Sequence, residues 1–200
     1  MSLNTKIILS ITLLFSVSVY CSEIVIRPAT EENLEAIFAL SDDDYQNNFK
    51  RLWTQHYALL TPNGILINEF VERKKTNNKE AIENFVKRQS TDNSYGLLVA
   101  LKQESVIGYC RFKKIDTTTM YMNNIIVHPL HRKQKIAKQL VLAAFNTWNT
   151  VTQCNFRALI HYDLINQIYK QHTREIITNP NTSKTHNEYI YMIQRKIKSK

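Results

Sequence analysis

Met120–Leu140 reads MYMNNIIVHPLHRKQKIAKQL, and the order of elements in this stretch decides the fold. Ile125, Ile126 and Val127 make a β-branched apolar run, the pattern of a buried strand. Pro129 ends it, because proline cannot donate to a sheet ladder. Arg132, Lys133, Gln134 and Lys135 follow, and then a helical pattern with Ile136, Leu140, Ala143 and Ala144 on one face. A strand that feeds directly into a helix leaves the first amides of that helix without intrahelical partners. With the helix dipole and the neighbouring cations, those amides form a site suited to phosphate. A phosphorylated ligand is expected at this corner.

Read as a motif, Val127, Pro129, Arg132, Lys135, Ile136, Ala137 and Leu140 give V-x-P-x-x-R-x-x-K-I-A-x-x-L. This resembles the acetyl-CoA signature of the GNAT superfamily of N-acetyltransferases, Gln/Arg-x-x-Gly-x-Gly/Ala. Arg132 and Ala137 match its first and last positions, and Lys135 stands where the family prefers glycine. Ile26-Arg27-Pro28-Ala29-Thr30, with Leu34 four residues on, is similar to the first strand and helix of many members.

The resemblance implies an α/β (α+β) fold: a mixed, mostly antiparallel sheet of six to seven strands with helices on both faces. It implies an acyltransferase that moves an acetyl group from acetyl-CoA, as cosubstrate, to a primary amine of a small molecule or protein. The amine attacks the thioester directly, with no covalent enzyme intermediate. Carried over, the backbone of Ile125, Ile126 and Val127 holds the pantetheine arm. The amides of Arg132, Lys133, Gln134, Lys135, Ile136 and Ala137 hold the pyrophosphate. Tyr169 falls where the family often keeps a tyrosine that protonates the departing thiolate, a role suited to a phenol; a packing role beside Ile165 and Ile168 is the alternative. Where many relatives carry a glutamate base, this chain has Asn123 and Asn124, which can orient a substrate or water but not take its proton.

Two further readings stay open. Lys135 and the missing carboxylate suit a GNAT-fold module that binds CoA without turnover. A net charge of +9 suits a nucleic-acid-binding protein, although no RNP-like aromatic motif or concentrated basic stripe accompanies it. Nucleic acid is therefore not expected as a partner.

Two hundred residues fit one domain, assigned to 23–200. Residues 1–22 read as a secretory signal peptide: Lys6, an apolar run from Ile7 to Tyr20, then Cys21 and Ser22. The run is too short to span a bilayer, so the expectation is export and no membrane span after cleavage, with a cytoplasmic location if there is no cleaved leader. Cys110 and Cys154 then remain, each beside an apolar strand, and read as buried thiols. No cysteine or histidine cluster has metal-ligand spacing, so no metal is expected. His128 and His131 read as surface or capping residues, and Phe49, Trp53 and Tyr57 as core.

Along the chain, the expected elements are a strand at 23–30, a helix from Leu34 to Leu40 and a break at Asp42–Asp44. An amphipathic region through Phe49–Tyr57 follows, then a turn at Pro62-Asn63-Gly64 and helices at Ile65–Val71 and Lys79–Arg88. A meander spans Tyr95–Leu101, Val106–Ile115 and Thr117–Val127. After the phosphate helix come a strand at Phe156–Ile160, a helix at Asp163–His172 and strands at Glu175–Thr178 and Glu188–Gln194.

Overall fold

The computed structural model describes residues 23–57, 66–159 and 186–192. Six strands form one sheet in chain order: β1 (Val25–Pro28), β2 (Tyr95–Lys102), β3 (Ser105–Lys114), β4 (Thr119–Val127), β5 (Gln153–Leu159) and β6 (His186–Met192). Neighbours are antiparallel except β4 and β5, which run parallel. A parallel pair needs a crossover; the helix between Ile136 and Thr147 supplies it. The mixed, mostly antiparallel sheet matches the expectation from the sequence.

Helix α1 (Leu34–Asp44) passes through a π-helical turn (Tyr45–Phe49) into α2 (Lys50–Tyr57). The expected break at Asp42–Asp44 is therefore absent. Asn47 and Asn48 donate to the carboxylates of Asp43 and Asp44, each at 2.6 Å, and such i,i+4 pairs sustain a helix. The two helices expected at Ile65–Val71 and Lys79–Arg88 are one, α3 (Ile67–Gln89). Its polar middle is held by ion pairs along one face, Arg73 with Glu69 at i,i+4 and 2.6 Å and Lys75 with Glu72 at i,i+3 and 3.1 Å. The phosphate-site helix is α4 (Ile136–Thr147). The expected strand at Phe156–Ile160 begins three residues earlier, at Gln153. The leader, the Pro62-Asn63-Gly64 turn, the Asp163–His172 helix with Tyr169, and the Glu175–Thr178 strand lie outside the described residues.

The sheet divides two cores. Leu98, Ala100, Cys110, Phe112, Met120 and Met122 pack against Ile136, Leu140, Ala144 and Phe145 of α4. On the opposite face, Leu97, Val99, Leu101, Tyr109 and Ile126 meet Ile37 and Leu40 of α1 and Ile82, Phe85 and Val86 of α3. A Cβ at Gly108 would stand 3.0 Å from the Ile126 carbonyl and 3.5 Å from Ile136 and Leu140. The bare backbone there lets the first turns of α4 lie directly on β3 and β4. Cys110 and Cys154 are buried free thiols. Burial pushes both thiols up, Cys154 to about 12, so neither is a nucleophile at neutral pH.

Candidate active site

The site begins where the sheet opens. β4 pairs with β5 only from Thr119 to Met122, against Gln153 to Phe156. Beyond that point β4 runs on to Val127 and β5 to Leu159 without pairing to each other. The cause lies on the other edge of β4. Met122 faces Phe112 and Asn124 faces the next residue, Arg111, so Asn123 is an extra residue in the ladder. A bulge of this kind bends its strand and ends regular pairing. Ile125, Ile126 and Val127 consequently border a wedge between parallel strands.

The bulge also redirects side chains. Met122 and Asn124 share parity and would share a face in a regular strand. Instead Met122 packs on the α4 side, whereas Asn124 bonds to groups on the α1–α3 side.

At the end of β4 the chain makes a 3₁₀ turn, Pro129–His131. His128 Nδ1 accepts the Leu130 amide at 3.3 Å, a capping role. The His131 and Arg132 amides donate to the carbonyls of His128 and Pro129, at 2.9 and 3.3 Å. Further on the donors run out of acceptors. The first α4 bond is Gln139 to Lys135, at 3.0 Å. Among the described residues, no hydrogen bond engages the amides from Lys133 to Lys138. The row of unpartnered amides thus starts one residue later than the sequence suggested, at Lys133 instead of Arg132.

Lys133 and Lys135 hold φ values of 64° and 62°, and this left-handed backbone turns the chain into α4. Lys135 adopts the conformation that a glycine would favour, at a cost of roughly 1–2 kcal/mol. Its side chain is exposed, as are those of Lys133, Gln134 and Lys138, while Ile136 is buried and fixes the helix to the sheet. Arg132 acts as a clamp. Its Nε donates to the Val127 carbonyl at 3.1 Å and its Nη2 lies 3.6 Å from Asp44 at the end of α1. A groove of about 510 Å³ lies beside this corner, between Ala36, Ala39 and Asp43 of α1 and Val106, His128 and Pro129. Partial burial, then the charges of Lys102 and His128, hold the His131 pKa below its usual value, so its imidazole is neutral at pH 7.

A polar cluster lies on the α1–α3 face of the bulge. Asn78 of α3 donates to Ser41 Oγ of α1 at 2.6 Å. Asn124 Nδ2 donates to Asn78 Oδ1 at 3.5 Å and to the Tyr109 hydroxyl at 3.3 Å. Burial pushes the Tyr109 phenol up to about 12 and raises that of Tyr45 as well. Arg111 stacks its guanidinium over Phe85 at 5.2 Å, and desolvation lowers its pKa. Sequence reasoning named Asn124 here and missed Ser41, Tyr45, Asn78, Tyr109 and Arg111. One signal was present: Arg111 interrupts the otherwise apolar core of SVIGYCRF.

Comparison with known proteins agrees with this fold. A search of curated proteins gives no significant match. Among solved structures, the PaiA N-acetyltransferase of Thermoplasma acidophilum, in complex with coenzyme A, superimposes with a TM-score of 0.68 at 17% identity, covering 86% of this chain and 99% of that one. A GNAT-family acetyltransferase of Staphylococcus aureus Mu50 gives 0.60 at 12% identity, with 86% and 100% coverage. The protein yncA of Salmonella typhimurium, solved with its cofactor acetyl-CoA, gives 0.54 at 12%, with 90% and 99% coverage. At such identities these likenesses concern the fold. Residues 34–159, more than half of the chain, match the Acetyltransferase (GNAT) family, and the chain belongs to that family.

Proposed function

We propose that the protein is an acetyl-CoA-dependent N-acetyltransferase acting on a primary amine. The observation that carries this reading is the run of unpartnered amides from Lys133 to Lys138, set beside the unpaired edge of β4. A pyrophosphate matches the first, because those donors converge at a helix N-terminus and need an anion. An extended amide-bearing arm matches the second, since a strand edge pairs with any chain that offers donors and acceptors in line. Bound acetyl-CoA supplies the activated acyl group.

The chain's residues have a short task. They position the thioester, orient the amine and return a proton. Asn124 spends its NH₂ group on Asn78 and Tyr109, and its Oδ1 makes no hydrogen bond among the described residues. That oxygen can accept a hydrogen bond from the incoming amine and aim its lone pair. Tyr109 cannot act as base, since its phenol holds its proton to about 12. The amine therefore arrives neutral or loses its proton to water, and Tyr169 is assigned the protonation of the thiolate. Export through residues 1–22 would carry the enzyme to a compartment where acetyl-CoA must be supplied, such as the cytosol of another cell.

Acetyl-CoA at millimolar concentration is expected to raise the unfolding temperature, because a ligand at 100-fold over its Kd stabilises by about 2.7 kcal/mol. No shift at that concentration overturns the assignment. Tyr169→Phe is expected to lower kcat and leave that protection intact.

A further inference from the structure

Around the bulge, hydrogen bonds join Ser41, Asn78, Tyr109 and Asn124. Arg111 is the exception. Its Nε and Nη1 are buried and make no hydrogen bond among the described residues, and none of the ion pairs described there involves it. Its surroundings are the Phe85 ring, the neutral phenols of Tyr45 and Tyr109 and its cross-strand partner Asn124. A desolvated guanidinium with unsatisfied donors is costly, and a leucine would fill this strand position without that cost. The sequence keeps a planar cationic fork, a shape suited to bidentate pairing with a carboxylate.

Its position says which ligand would bring one. Arg111 and Asn124 are direct neighbours across β3 and β4, and Asn124 stands where β4 parts from β5. An amine held at Asn124 Oδ1 lies about one strand spacing, ~4.8 Å, from the strand that carries Arg111. Resting on the acyl-transfer reading above, we propose that Arg111 binds a carboxylate of the acceptor, so that the substrate class is amines bearing a carboxylate, of the amino-acid type. Pairing would complete the guanidinium's donors and fix the distance from carboxylate to amine.

The test compares matched acceptors, 4-aminobutyrate with butylamine and leucine with 3-methylbutylamine, using the full chain and acetyl-CoA. A charge-assisted pair predicts a wild-type preference for the carboxylated member of about 10- to 150-fold in at least one couple, with kcat/KM expressed per concentration of neutral amine. Arg111→Gln brings that couple to near parity through KM, lowering kcat/KM for the carboxylated member far more than for the plain amine, while acetyl-CoA still protects against thermal unfolding. Arg111→Lys recovers part of the preference. Equal rates on both members in the wild type, or equal losses on both in Arg111→Gln, overturn the proposal. A binding arm separates it from the reading on which it rests. If no acetyl transfer occurs but a carboxylated amine protects the wild type and not Arg111→Gln, the carboxylate site stands and the transferase reading falls. If acetyl-CoA protects and no carboxylated amine does, the carboxylate site falls alone.

Discussion

Lys135, at the position where the family motif has glycine, holds a left-handed backbone, and it does so exposed to solvent. The departure from the family motif is thus conformational before it is steric. A Cβ in this region costs roughly 1–2 kcal/mol, so Lys135→Gly is expected to raise the unfolding free energy by about 1 kcal/mol, measured by denaturant titration. Lys135→Val, β-branched at φ 62°, is expected to fall below wild type. If glycine destabilises the chain, the lysine side chain has a structural bond that the geometry does not contain. Single residues were the least legible level of the sequence. The strand end at Ile125–Val127 and the loop at Lys133–Ala137 were readable because their backbone placement follows from pattern and punctuation. Arg111, Tyr109 and Asn78 meet only through the pairing of distant strands and helices, so apart from the break Arg111 makes in an apolar strand, no local pattern announces them.

At the level of elements, one inserted residue makes the site. The bulge at Asn123 ends β4–β5 pairing at Met122 and turns Asn124 towards Asn78 and Tyr109. Deleting Asn123 restores a regular ladder while every following residue keeps its face, because Asn124 would still stand opposite Arg111. The deletion variant is expected to remain folded, with a cooperative thermal transition, and to lose affinity for acetyl-CoA by at least tenfold as the wedge narrows. Retained affinity would show that the opening of the sheet does not depend on the bulge. The helices were less legible than the strands for a related reason. Polar stretches such as Asp42–Asn48 and Glu72–Asn78 look like breaks, yet pairs at i,i+4 and the buried Asn78–Ser41 bond carry the helix through them. Periodicity reads what a face buries and is blind to what a polar face ties together.

At the scale of the whole molecule, the motif from Val127 to Leu140 and the order of elements around it pointed to the family, because only the strand–loop–helix corner and the meander before it are needed. The chemistry follows from what surrounds the wedge. Tyr109 is held protonated to about 12, and Tyr45 is raised too. Asn123 and Asn124 occupy the strand where a carboxylate base would stand. On the proposed reaction, no carboxylate base stands on this strand among the described residues, and the proton balance falls on the acceptor. With rising pH the neutral amine becomes more abundant, so kcat/KM should climb about tenfold per pH unit until it levels at the acceptor's own pKa. Exchanging the acceptor for an amine of lower pKa should move that plateau to lower pH by the same interval. A plateau that stays fixed when the amine is changed would reveal an enzyme base.

Cofactor binding depends most on the amides that follow Pro129. Titrating the isotopically labelled protein with acetyl-CoA and following backbone amide resonances by NMR tests this directly. Saturable shifts concentrated on Lys133 to Ala137, with smaller ones along Ile125–Val127, are the predicted result. Saturable binding that leaves those resonances unmoved would contradict it.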